Sequence, residues 1–297
     1  MCSSDLDGFA DLFVGASEVG SSVGAAYLVR GPAVGTLDLA AADTTLVGES
    51  LGDKAGGAVA LGDFDADGVG DLVVAGTGDD DGGSAAGAVW AVYVPASAGI
   101  RLSAADVKLV GEDASDHAGA GLDAGDFDGD GIDDLFVGAT GDDDAATDAG
   151  AVYLLLGPLS GWADLSAHDG KYIGEAANDE VGDVVRLAGD LDGDGLRDLV
   201  IGAPGNGLGG GAWAFAGPGA YAIHRTAEAF ASWSADELDD DLGASVVCPG
   251  DLDRDSQDDF VIGAPGADIS GTSSGAAYVY FGPFARSEEH TSELQSP

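Results

Sequence analysis

The chain is short of basic residues: 10 lysines and arginines stand against 54 aspartates and glutamates, leaving a formal net charge of −44. That shortage argues against a nucleic acid partner and against an anionic membrane surface, both of which call for basic patches. No apolar run approaches the roughly 18 residues that a membrane helix needs, so no membrane span is expected. Cysteine is limited to Cys2 and Cys248, far apart and in unlike surroundings, which gives no support to a disulfide framework. Cys248 reads instead as a small buried hydrophobe on a strand. Proline is scarce at 9 residues while glycine reaches 51, a mix that suits many short strands joined by tight turns better than long helices. With hydrophobic residues at 45%, the chain is not a disordered acidic tail and can bury a core.

The two ends read differently from the rest. The first six residues, MCSSDL, and the last twelve, RSEEHTSELQSP, resemble translated sequencing-adapter DNA. Residues 1–6 and 286–297 are therefore set aside from fold reasoning, leaving 7–285 as the native segment.

Within that segment one pattern recurs. GDFDADGVGDLVVAGT (62–77), GDFDGDGIDDLFVGAT (125–140), GDLDGDGLRDLVIGAP (189–204) and GDLDRDSQDDFVIGAP (250–265) share it, and DLDGFADLFVGAS (5–17) is a truncated copy. The first aspartates of the full copies, Asp63, Asp126, Asp190 and Asp251, lie 63, 64 and 61 residues apart. In the same phase come a glycine–alanine aromatic strand, as in GAVYLLLGP (150–158), and a further strand with a preceding leader, as in IRLSAAD before VKLVGE (107–112). The fourth such strand, near 224–237, departs from this leader. Four short antiparallel strands per unit at a fixed period are the signature of propeller blades. The fold expected is an all-β propeller of about four and a half blades, with units near 7–55, 56–118, 119–181, 182–242 and 243–285. The runs LFVGA (135–139) and LVIGA (199–203) are continuously apolar, as inner strands covered on both faces would be.

Each acidic loop reads D-x-D-x-D-G-x-x-D. Side chains at positions 1, 3, 5 and 9 and the carbonyl at position 7 can converge, and glycine at position 6 permits the sharp turn. Oxygen-only ligands suit a hard cation, most often Ca²⁺. Two carboxylates about 4 Å apart repel by roughly 4 kcal/mol at an effective dielectric near 20, so a cation between them turns repulsion into a clip. The four ligand sets are Asp63, Asp65, Asp67 and Asp71 with the Val69 carbonyl; Asp126, Asp128, Asp130 and Asp134 with Ile132; Asp190, Asp192, Asp194 and Asp198 with Leu196; and Asp251, Asp253, Asp255 and Asp259 with Gln257. About four Ca²⁺ sites are thus expected. Ser256 replaces the position-6 glycine of the last set, which predicts strain or weaker affinity there. In the truncated copy Asp7 and Asp11 fit positions 5 and 9 but Ser3 falls at position 1, so no site is expected. The further acidic runs 79–81 and 142–144 read as solvated rim or as a weak cation site.

The combined motif, G-D-x-D-x-D-G-x-x-D-L-x-V-G-A-P followed by G-x-V-Y, resembles the FG-GAP repeat of integrin α-subunit propellers and their bacterial relatives. The resemblance implies a propeller, commonly seven-bladed in integrins, with Ca²⁺ in hairpin loops on one rim. It also implies an exported or cell-surface protein with a protein or glycan ligand. With four and a half repeats, the segment would be an open arc, completed by missing blades or flanking domains.

Enzyme-like signals are present but lack their context. GESLG (48–52) matches the nucleophile-elbow pattern at Ser50, yet the same register reads GEDAS and GEAAN elsewhere, without a strand-turn-helix. GNGLGG (205–210) matches a dinucleotide fingerprint but is followed by another strand, so no helix N-terminus is offered to a phosphate. His117, His168 and His224 share no metal spacing. Of Trp90, Trp162, Trp213 and Trp233, two lie on the glycine–alanine strand, which favours blade packing over carbohydrate stacking. The expectation is a non-enzymatic Ca²⁺-stabilised extracellular module for recognition or adhesion. The alternatives are a non-catalytic propeller module of a larger secreted hydrolase or lyase, and a structural spacer.

Overall fold

The computed structural model describes residues 2–5, 9–94, 99–205, 209–218, 221–235, 237–269 and 272–284. The expected period appears as five successive sheets. Sheet I contains β1 (Cys2–Asp5), β2 (Ala10–Ala16), β3 (Ala25–Val29) and β4 (Thr44–Val47). Sheet II contains β5 (Ala58–Gly62), β6 (Asp71–Gly76) and β7 (Ala88–Val92). After β8 (Gly99–Arg101), β9 (Val107–Val110) completes its four antiparallel strands. Sheet III contains β10 (Ala118–Gly125), β11 (Asp134–Ala139), β12 (Ala151–Leu155) and, after β13 (Gly161–Asp164), β14 (Gly170–Ile173). Sheet IV contains β15 (Val184–Leu187), β16 (Leu199–Ala203), β17 (Gly211–Phe215) and, after β18 (Ile223–Arg225), β19 (Ala231–Ser234). Sheet V shows β20 (Ser245–Gly250), β21 (Asp259–Ala264) and β22 (Ala276–Tyr280).

The sheets stack face to face, and each interface has its own apolar core. Phe13, Leu28 and Leu46 of sheet I meet Val74 and Trp90 of sheet II. Val73 and Val89 meet Leu122, Val137 and Tyr153 of sheet III. Phe136 and Val152 meet Ile201 and Phe215 of sheet IV, while Val200 and Trp233 meet Phe260 and Ile262 of sheet V. Strands β6, β11 and β16 are buried along their whole length, as their unbroken apolar sequences predict. Each large apolar side chain fully removed from water contributes about 1.5–3 kcal/mol, which makes these interfaces the main source of stability. Strand β2 of sheet I and the inner strands β5, β10 and β15 of the next three sheets line one cavity of about 490 Å³, from Val14 and Ala58 to Leu122 and Val185. The sheets therefore surround a common axis, and the protein is an all-β propeller.

Two details correct the sequence reading. The blades are not limited to four antiparallel strands. The leader strands β8, β13 and β18 leave their own repeat and pair in parallel with β4, β9 and β14, the outer strands of the preceding blades. An edge strand presents unpaired backbone groups, and the extended leader satisfies them. The fourth copy keeps this plan, with β18 followed by a single turn at Thr226–Glu228 and then β19. Residues 2–5, set aside as foreign, pair with β2 as the inner strand of sheet I. A ladder is made by backbone groups, so it accepts such a segment whatever its origin. Residues 286–297 and Asp7 lie outside the described residues, as do 206–208 of the GNGLGG stretch.

Candidate metal centre

Each acidic loop joins the inner strand of a blade to the next, and its aspartates are held by its own backbone amides. At position 1, Asp63 accepts from Asp67 (3.1 Å) and Gly68 (2.9 Å). Asp126 accepts from Gly129 (2.7 Å) and Gly131 (3.2 Å), and Asp190 from Asp194 (3.0 Å) and Gly195 (2.8 Å). Asp251 accepts from Asp255 (3.1 Å) and Ser256 (2.9 Å). At position 3, Asp65, Asp128, Asp192 and Asp253 each accept the amide of position 5 at 3.0–3.1 Å. Asp67, Asp130, Asp194 and Asp255 in turn accept the amides of Val69, Ile132, Leu196 and Gln257, at 2.8–2.9 Å. Successive amides thus wrap the chain around the acidic groups.

Position 9 has a second task that the spacing alone did not disclose. Asp71 accepts from Phe64 in its own loop (3.1 Å) and from Val94 beyond the third strand of its blade (3.0 Å). Asp134 does the same with Phe127 and Gly157, Asp198 with Leu191 and Gly217, and Asp259 with Leu252 and Gly282. Even Asp11 of the truncated copy accepts from Gly31 at 2.8 Å. The carboxylate therefore knots loop and sheet together in the four full repeats. It is buried in all five: Asp11, Asp71, Asp134, Asp198 and Asp259 are at most 2% exposed.

Burial pushes Asp71 and Asp134 up to about 6 and Asp198 up to about 7. The bonded amides pull against this, and the position-3 aspartates of the same loops add repulsion. These groups are difficult to ionise without a compensating positive charge. Carboxylate oxygens of Asp63, Asp65 and Asp71 lie within 4.8 Å of one another, as do those of Asp126, Asp128 and Asp134, and those of Asp190, Asp192 and Asp194. The loops bring together donor sets that could hold a metal, all of them hard oxygens.

Two positions per loop are left-handed. Position 6 has φ of 85°, 90° and 87° at Gly68, Gly131 and Gly195, and Ser256 is forced to 77°. Position 4 is occupied by Ala66, Gly129, Gly193 and Arg254, at 62°, 80°, 82° and 70°. The fourth loop thus places two side chains where glycine is favoured, and the strain anticipated at Ser256 is present.

In the acidic runs 79–81 and 142–144, Asp79 and Asp142 are buried while the two aspartates after each are exposed, and each run meets a buried lysine. Lys108 of β9 is fully buried and reaches Glu49, Asp79 (3.1 Å) and Asp81 (2.6 Å). Lys171 of β14 reaches Glu112 (3.2 Å), Asp142 (2.7 Å) and Asp144 (2.6 Å). Burial disfavours each ammonium, but the carboxylate hydrogen bonds outweigh it and hold both lysines above their ordinary range. Cross-strand partners complete the clusters: Trp90 donates to Glu49 (3.2 Å), and the Tyr153 hydroxyl, with its single proton, lies between Asp142 (2.6 Å) and Glu112 (2.9 Å). In the fourth unit Ser232 pairs opposite Trp213 where a lysine would sit. Asn206 and Leu208 replace the two aspartates in that unit. The lysine and two of its acidic partners are replaced together, while Glu175 remains at the place of Glu49 and Glu112.

The remaining candidates have structural surroundings. Ser50 sits in a turn with its amide on Asp53 (2.6 Å). His168 contacts the Leu165 carbonyl (3.0 Å) and His224 contacts Glu228 (3.2 Å). Trp90 and Trp233 are buried and Trp213 packs on a blade core, while exposed Trp162 lies over Lys108 at 5.2 Å. Burial raises the free Cys248 thiol to about 12, in keeping with an unreactive strand position.

The class defined by this geometry is a β-propeller of repeated blades, each opening with an aspartate-rich hairpin loop. The FG-GAP repeat family model matches residues 118–155, 187–220 and 243–280, which span the last three of the four complete loops. The chain carries three FG-GAP repeats. No curated protein matches it.

Proposed function

We propose that the protein is a non-enzymatic calcium-binding β-propeller in which Ca²⁺ clips the blade hairpins, and that it serves extracellular recognition or adhesion. The observation that carries the proposal is the repeated amide wrap around Asp63, Asp126, Asp190 and Asp251, with position 9 buried beneath it. Four loops spaced through the chain adopt one geometry that presents only oxygen ligands, which is the coordination preference of Ca²⁺. The FG-GAP repeats support an exported module, and no helix among the described residues is long and apolar enough to cross a membrane. A net charge of −44 suits a medium rich in divalent cations. Because the ion binds only the folded loops, saturating Ca²⁺ should raise the melting temperature by several degrees over that in chelator. Superimposable melting curves in the two conditions would reject the proposal.

A further inference from the structure

Two of the junctions between neighbouring loops share one set of hydrogen bonds. Asp133, at position 8 of the 126–134 loop, accepts the amide of Asp63 at 2.8 Å, and its own amide donates to the Asp63 carbonyl at 3.1 Å. The amide of Leu159 adds a bond to the Phe64 carbonyl at 3.1 Å. The same three bonds recur one pair of blades further on. Asp258 accepts from Asp190 at 3.1 Å and donates to its carbonyl at 3.3 Å, and Phe284 donates to Leu191 at 2.8 Å. The glycine before each loop makes room for the incoming carboxylate. A Cβ built on Gly62 would lie 3.1 Å from the Asp133 oxygen, and one on Gly189 only 1.5 Å from that of Asp258.

The intervening junctions differ in chemistry. Position 8 is Gly70 in the 63–71 loop, with no side chain to extend toward the first repeat. In the 190–198 loop it is Arg197, whose guanidinium lies against Gly125 and carries only donors, so it cannot accept the Asp126 amide.

We infer that Asp133 and Asp258 are positioning residues that couple the cation loops in two pairs, 63–71 with 126–134 and 190–198 with 251–259. This rests on the reading of the loops as calcium sites. Each positioning aspartate directly precedes a position-9 ligand of its own loop, Asp134 or Asp259, and fixes the backbone of the position-1 ligand of the preceding loop. Ordering one loop therefore lowers the cost of ordering its partner, which is positive coupling.

The test is a Ca²⁺ titration of the full chain, followed by ¹H–¹⁵N spectra in which the position-6 amides of Gly68, Gly131, Gly195 and Ser256 report each loop separately. Asp133→Ala should weaken binding at Gly68 by roughly fivefold, the worth of one net hydrogen bond, with Gly195 and Ser256 unmoved. Asp133→Asn keeps an acceptor oxygen and should restore most of the affinity. Asp258→Ala should act in the same way on Gly195 alone. Arg197→Asp, which supplies the missing acceptor, should couple Gly131 to Gly195, and it keeps the question answerable if the alanine variants do not fold. Equal changes at all four amides, or none at Gly68, would overturn the inference while leaving calcium binding intact. Spectra that do not respond to Ca²⁺ at any loop would reject the underlying reading instead.

Discussion

Lys108 and Asp79 meet at 3.1 Å with both side chains buried, and the residue opposite Lys108 on the neighbouring strand is Trp90. An ammonium fixed by three carboxylates occupies a place where the sequence suggested rim or ion. Its partners come from two blades, since Glu49 follows sheet I while Asp79 and Asp81 follow β6 of sheet II. The cluster is an internal electrostatic clip between blades.

Removing that clip on one side should be costly. Lys108→Ser would leave Asp79 buried without its counter-ion, and breaking a buried pair costs about 3–5 kcal/mol; Asp81, 54% exposed, adds little to this. The triple variant Lys108→Ser, Asp79→Asn, Asp81→Leu copies the fourth unit and should recover much of the loss. Denaturant midpoints of the single and triple variants check this. Because the lysine is held above its ordinary range, its contribution is present at neutral pH and fades only in strongly alkaline solution.

Ser256→Gly should stabilise the protein. It relieves a side chain held at a φ of 77°, worth about 1–2 kcal/mol, against roughly 0.5–1 kcal/mol of added unfolded-state entropy. A net gain of a few tenths to 1 kcal/mol in thermal unfolding is expected. The same change at Ala66, which is also left-handed at 62°, should act in the same direction.

Asp116 gives a pH signature away from the aspartate loops. Burial pushes it up to about 6, and the neighbouring Asp142 and Asp113 raise it further against the pull of its bond to the Asp113 amide and of Lys171. A carboxyl whose folded value exceeds its unfolded value near 3.9 favours the folded state when protonated. Its share of stability is full below about pH 4 and is lost as the pH rises through about 6. Asp116→Asn keeps the acceptor for Asp113 and should raise the melting temperature at pH 7.5 more than at pH 4.5. Equal shifts at both pH values would refute the assignment.

Asp194→Ala removes the acceptor of the Leu196 amide and one oxygen of the 190–198 donor set. Amide exchange in the presence of Ca²⁺ should accelerate in β15 and β16 more than in β5 and β6, because repeat units interact chiefly with their neighbours.

Much of the fold was legible because its signals are local. The period from Asp63 to Asp251, the buried strands such as LFVGA, and the loop spacing each lie within a few consecutive residues, where backbone sterics and alternation act directly. The parallel leader strands were not legible. Ile100 and Trp162 pair with Leu46 and Lys108, and no short-range pattern records which strand an extended segment will join. The lysines escaped for the same reason: Lys108 and Glu49 are 59 residues apart in sequence, and VKLV by itself reads as an ordinary strand.

The amino-acid sequence alone determined where the carboxylates cluster, because each set lies within nine consecutive residues of one tight turn. Only the tertiary structure decided what those carboxylates face. Stacking of sheets buried Lys108 and Lys171 among acids from two blades. It also set Asp133 and Asp258 where each accepts an amide of the loop before it. Such contacts depend on the distance between blades, a property of side-chain packing across sheets that a linear spacing does not contain.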